Sequence, residues 1–281
     1  ASIFRKLSKK YPGESGPFHY TEKSFGKFIG FFVIWGYWIS ILLVNASLAI
    51  AVTSYSTIFI KNLNDPVLSL SFAVFIIILI GIINAFGIKK VGQFQFITTI
   101  LKIIPLLATI IIGFFVFNHS NFTPINISTE TNLEALTITT ALTFFAFLGI
   151  ESATIPADGI KNPKSTIPKA TMIGTSLTFL IYVLSSIAII GIMSPSEIVL
   201  SNAPYADAMG FVLGESAKSI IAIFAIISGL GCLNGWTLLQ IEIPRSLAKK
   251  KLLGSIFSDK GSNRVPIKGL IISTILVIIL L

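Results

Sequence analysis

An all-α integral membrane fold is predicted by three features: the apolar content, the spacing of the long apolar runs, and the side on which the basic residues fall. Mean hydropathy is +0.87, and 53% of residues are hydrophobic against 12% charged. A soluble core built from 281 residues cannot hide that much apolar surface, so lipid must cover it. Runs near the roughly 20 residues that a helix needs to cross a bilayer occupy 25–59, 67–88, 94–117, 133–157, 170–193, 215–247 and 265–281. The loops are short and free of low-complexity sequence, which predicts one transmembrane domain over 1–281 without a soluble appendage.

Each span is bounded by its charges. Arg5, Lys6, Lys9, Lys10, Lys23 and Lys27 precede or open the span at 25–59. That span exceeds the bilayer thickness and is expected to tilt or to extend beyond it. Lys89 and Lys90 follow 67–88, and 94–117 carries Lys102 inside its apolar run. Lys161, Lys164 and Lys169 separate 133–157 from 170–193. The second overlong span, 215–247, ends on Arg245 and is followed by Lys249, Lys250, Lys251, Lys260, Arg264 and Lys268, before or at the start of 265–281. On this reading 18 of the 21 basic residues share one side, against Lys61 and Lys218 opposite and Lys102 within a span. That side is expected to be cytoplasmic. Asp65, Glu130, Glu134, Glu197 and Asp207 fall on the other side, in agreement.

The most informative single residue is Glu151, in FFAFLGIESATIPA. A carboxylate at membrane depth costs roughly 2.5–3.5 kcal/mol on insertion scales, so it faces a cavity, a partner or a substrate path. Gly149 and Pro156 flank it, the residue types found where a membrane helix opens its backbone onto a polar site. The alternative is a carboxylate paired with a neighbouring lysine or hydroxyl. Lys102 poses the same question: a proton-coupling ammonium at depth, or a side chain that snorkels to the nearby cytoplasmic surface.

Other classes fit poorly. The basic residues form no continuous face for nucleic acid. Cys232 is the only cysteine, which excludes an internal disulfide, and the histidines His19 and His119 lie far apart in different loops, so no cofactor or metal is expected. The spans offer no nucleophile–base pair for an intramembrane enzyme and no repeated filter segment for a channel. The chain opens on Ala1 without methionine and stops inside an apolar run, and therefore reads as a piece of a longer polypeptide. Signal-peptide removal would place the basic stretch 5–27 outside, against the charge rule.

Three stretches carry a specific resemblance. FLGIESATIPADGIKNPKSTIPKA resembles the sixth helix and following loop of the amino acid–polyamine–organocation transporters, and LGCLNGWTLLQIEIPRSLAKKKLLGSIF the eighth helix of their basic amino acid/polyamine antiporters. FGKFIGFFVIWGYWISILLVNASLAI is similar to the third helix of arginine/agmatine antiporters. The resemblance implies that the seven spans are the third to ninth of twelve, within a LeuT-like inverted-repeat core whose first broken helix is absent here.

It also implies roles. Trp236 matches the tryptophan that bounds the substrate's cationic chain, with Phe145, Glu151, Asn45, Ser40, Leu148 and Gly149 as further substrate-binding positions. Tyr37 and Glu151 match a cytoplasmic gate, and Phe145 stands where arginine/agmatine antiporters have the tryptophan covering the substrate from outside. Ile41 and Leu48 are bulkier or less polar than some relatives carry. Lys102 has no counterpart in those exchangers, but in other branches a lysine here resembles a built-in cation in place of a coupling sodium ion. The expected function is exchange of a cationic amino acid such as arginine for agmatine or a related amine across the inner membrane, by a lipid-embedded protein that is compatible with a homodimer. The alternatives are a proton-coupled permease of broader specificity using Lys102, or a truncated permease that does not transport.

Overall fold

The computed structural model describes residues 1–11, 16–86, 88–152, 160–258 and 265–281, with side chains left out at 88–92 and 145. The described residues form eleven α-helices: α1 (Ser2–Lys10), α2 (Gly16–Phe25), α3 (Lys27–Ser56), α4 (Pro66–Ala85), α5 (Ile88–Phe115), α6 (Asn132–Ala146), α7 (Pro163–Ile192), α8 (Pro195–Leu200), α9 (Pro204–Leu213), α10 (Glu215–Lys249) and α11 (Ile267–Leu280). No strand occurs among them.

Local chemistry explains where the helices begin. Pro66, Pro163, Pro195 and Pro204 stand in the first turns of α4, α7, α8 and α9, where a missing N–H costs nothing. Asp65 caps α4 by accepting from Val67 N and Leu68 N, both at 3.0 Å. Ser194 and Glu197 form a reciprocal capping box on α8. Asp65 and Glu197, read above as acids of the outer loops, thus serve helix starts. Asp207 pairs with Lys218 at 3.0 Å and joins α9 to α10.

Five helices are long and apolar enough to cross a membrane: α3, α4, α5 over Gln93–Phe115, α7 and α10. The other two expected spans are shorter. The run at 133–157 yields the 15-residue α6, which ends at Ala146 in a turn over 147–151, and the run at 265–281 yields the 14-residue α11. Residues 153–159, including Pro156, lie outside the described residues. The run at 25–59 is α3 with its ends trimmed: Phe25 closes α2, Gly26 takes φ +89°, and α3 runs from Lys27 to Ser56. The connection from 193 to 214 carries α8 and α9 and is no simple short loop. The excess length of α3 and α10, with 30 and 35 residues, is helix throughout.

Helix α10 is the central post, packing on α3, α4, α5, α9 and α11. Association between helices in lipid depends on close approach and buried polar pairs, because lipid is as apolar as the packed side chains. Both devices are present. A Cβ at Gly229 would collide with Val52 of α3, and one at Gly231 with Thr98 of α5, so glycine lets the neighbours sit against the α10 backbone. Asn45 of α3 donates its amide to Gln240 Oε1 of α10, and Trp38 Nε1 donates to the Gln240 carbonyl at 3.0 Å. Around these pairs Trp38, Ile41, Leu42, Ile77, Ile243 and Val277 form a core of α3, α4, α10 and α11. By contrast α6 turns its apolar side chains outward, with Leu136, Leu142 and Phe144 all exposed. Such faces require lipid or protein cover.

Candidate functional site

A cavity of about 520 Å³ lies among α5, the end of α6, α7 and α10. That size falls within the roughly 300–1,000 Å³ usual for small-ligand sites. Its wall is built around the break in α6. Helical hydrogen bonding stops after Ala146, and the chain turns through Phe147 and Leu148 to Gly149, which takes φ +103°. An L side chain there would be strained, and its Cβ would also meet Trp236 at 3.1 Å. The α6 backbone therefore rests on the edge of the Trp236 indole, and both residues line the cavity.

Glu151 closes this turn. Its Oε1 accepts from Gly149 N at 3.1 Å, a reach back of two residues that holds the opened backbone. Ile150 and Ser152 line the cavity while Glu151 does not. The buried Tyr37 hydroxyl of α3 has no hydrogen-bond partner among the described residues, and the Glu151 carboxylate acts on it electrostatically. The two groups are adjacent.

The remaining expected positions separate. Leu148 and Lys102 line the cavity; Lys102 comes from α5 and is half-buried. Ser40 and Asn45 are not in its lining: Ser40 bonds to its own helix at the Tyr37 carbonyl (2.7 Å), and Asn45 spends its amide on Gln240. For Asn45 the physical reason is that α10 packs against its face of α3. The Phe145 side chain lies outside the described residues.

Several lining residues escaped the sequence reading. Gln95 stands two helical turns before Lys102 on α5, Thr171, Thr175, Thr178 and Tyr182 repeat at helical spacing along α7, and Cys232 joins the lining from α10. The signal was available as polar residues recurring at i, i+4 and i+7 within apolar spans. Thr171 is buried and its hydroxyl has no hydrogen-bond partner among the described residues. The cavity thus offers an aromatic face, one ammonium, hydroxyls and a carboxamide.

The sequence profile of the amino acid permease family matches residues 1–281. This chain belongs to the amino acid permease family. As a family member it is a multi-pass membrane protein, in keeping with its five long apolar helices. It is 28% identical over 279 residues to the cadaverine/lysine antiporter of Escherichia coli K12, covering 98% of this chain and 62% of that protein. It is 30% identical over 274 residues to the putrescine transporter PotE of Haemophilus influenzae, covering 96% of this chain and 62% of the relative. With the arginine/ornithine antiporter of Pseudomonas aeruginosa it shares 29% over 287 residues, covering 99% of this chain and 59% of the relative. The permease chain therefore spans about three-fifths of the length of these relatives.

Proposed function

We propose that this permease chain forms the substrate-bearing core of an antiporter that exchanges a cationic amino acid for a polyamine or another cationic amino acid. The observation that carries the proposal is the meeting of the opened α6 backbone at Gly149 with the Trp236 indole on the cavity wall. An indole face attracts ammonium or guanidinium by about 0.5–2 kcal/mol, and a broken helix presents backbone groups to a polar ligand. The relatives support the same reading, since their names pair lysine with cadaverine and arginine with ornithine. Arginine-for-agmatine exchange is the finer version.

In this reading Glu151 and Tyr37 act at the gate. The carboxylate holds the α6 turn and needs only a small shift of α3 to accept a hydrogen bond from the tyrosine, so its contact with Tyr37 changes when the helices rock. Phe145, two residues before Phe147 on the cavity wall, covers the substrate from the opposite end. The basic helix ends face the cytoplasm across the inner membrane, following the lysine and arginine asymmetry. A second reading rests on Lys102: its place in the cavity lining favours a proton-coupled permease in which that ammonium loses and regains its proton during the cycle.

The test is counterflow in proteoliposomes containing the protein and loaded with cadaverine, putrescine or agmatine. Labelled lysine or arginine is expected to enter only against an internal cationic partner. Uptake that follows a pH gradient without such a partner would instead favour the Lys102 reading.

A further inference from the structure

Helix α1 carries charge that no acid among the described residues neutralises. Its sequence, SIFRKLSKK, holds Arg5, Lys6, Lys9 and Lys10 without an acid, and all four basic residues are exposed. Lys10 lies over the Tyr11 ring at 5.1 Å, and none of the four pairs with a carboxylate among the described residues. Arg5 and Lys9, Lys6 and Lys9, and Lys6 and Lys10 stand three or four positions apart, where helix side chains are neighbours and like charges repel. Anions from outside the chain relieve that repulsion.

The opposite face of α1 is fixed to the protein. Phe4 and Leu7 are half-buried, Ser8 is 1% exposed, and α1 packs on α7. Tyr11 meets His19 of α2 edge-on with ring centroids 6.1 Å apart, and the neighbouring Phe18 lies under Lys250 at the end of α10. Helix α1 therefore lies at the end of the bundle where α3 begins and α10 stops. At nine residues it is about 14 Å long, too short to cross a bilayer. Beside the basic arc stands Ile3, 70% exposed, with Lys6 and Lys10 at i+3 and i+7. An exposed apolar side chain flanked by long cationic ones suits a helix lying in the bilayer surface, its apolar tip among the acyl chains and its ammonium groups raised to the headgroups.

We infer that α1 is a docking site for the anionic phospholipid headgroups of the leaflet at this end of the bundle. Arg5, Lys6, Lys9 and Lys10 supply the complementary charge, and Ile3 supplies an apolar edge that lipid uses and a free anion does not. Lys164 and Lys169, exposed near the start of the helix on which α1 packs, add to the positive field.

The test is hydrogen exchange over residues 2–10 of the full chain, in nanodiscs of phosphatidylcholine and in nanodiscs where phosphatidylglycerol replaces part of it. Exchange is expected to slow about fivefold or more in the second set, the effect of one basic residue near an anionic surface being of that size. The slowing is expected to fade as added salt shortens the range of the charges. Replacing all four basic residues (Arg5→Gln, Lys6→Gln, Lys9→Gln and Lys10→Gln) is expected to abolish it, whereas Lys268→Gln on α11 leaves it in place. Ile3→Ser keeps every charge and is expected to reduce it. Equal exchange in the two bilayers, or slowing that survives high salt or the fourfold variant, would overturn the inference. So would the same slowing produced by inorganic phosphate in phosphatidylcholine nanodiscs, since the ligand would then be a free anion. If the fourfold variant does not fold, the salt series on the unaltered chain decides.

Discussion

Gly149 and Trp236 constrain each other, and that contact makes separate predictions for the two residues. Gly149→Ala puts a methyl group 3.1 Å from the indole at a backbone angle of +103°. Strain of that kind costs about 1–3 kcal/mol, to be read as a lower unfolding midpoint together with weaker substrate binding. Trp236→Leu keeps apolar bulk and removes the π face, so it should weaken a cationic substrate by about 0.5–2 kcal/mol while leaving thermal stability nearly unchanged. Glu151→Gln keeps an oxygen for Gly149 N but loses the charge facing Tyr37. It is expected to abolish exchange in proteoliposomes while expression stays normal; unchanged uptake would remove Glu151 from the gate. Glu151 and Gly149 were legible in the sequence because an acid and a glycine in an apolar run are costly and must be explained. Gln95 was not, because one polar residue in a span looks like tolerated noise until the fold sets it on the cavity wall.

Among elements, the apolar runs located α3, α4, α5, α7 and α10, whose lengths follow from continuous hydropathy. They misplaced the ends. The run at 25–59 ignored the break at Gly26, and 133–157 merged α6 with a turn, since hydropathy does not register backbone conformation. The short helices α8 and α9 were missed because they are only 6 and 10 residues long and are started by local signals, Pro195 with the Ser194 cap on α8 and Pro204 on α9. The α8 cap predicts a pH dependence. The Ser194 hydroxyl and backbone N–H hold the Glu197 carboxyl below its ordinary value. A depressed carboxylate pKa stabilises the folded cap above the unfolded value, and that contribution is lost as pH falls through the folded one. Hydrogen exchange over 194–200 should therefore quicken on acidification through the carboxylate range, once corrected for the intrinsic pH dependence, and Ser194→Ala, which removes the hydroxyl but keeps the backbone N–H, should reduce the difference. The α5–α10 crossing makes a second claim: Gly231→Leu should destabilise by about 1–3 kcal/mol through overpacking against Thr98.

At the scale of the molecule, the two ends of the bundle are tied by different pairs. Lys250 meets Glu22 at 3.3 Å and lies over the Phe18 ring at 4.1 Å at the end where α3 begins, whereas Asp207 and Lys218 meet at the opposite end. Between them α10 carries Trp236 into the cavity and Gln240 into the core. The membrane class and the family were legible from hydropathy and the sixth- and eighth-helix stretches, whereas the substrate depends on side chains that meet only in the fold. The central claim is that this cavity recognises a cation through Trp236. The most direct measurement is calorimetric titration of the purified protein with lysine and with leucine, repeated on Trp236→Leu. Lysine is expected to bind the wild-type protein more tightly than leucine does, and to lose about twofold to thirtyfold in the variant, the equivalent of the cation–π energy. Equal affinities for lysine and leucine, or a lysine affinity unmoved by the substitution, would contradict it.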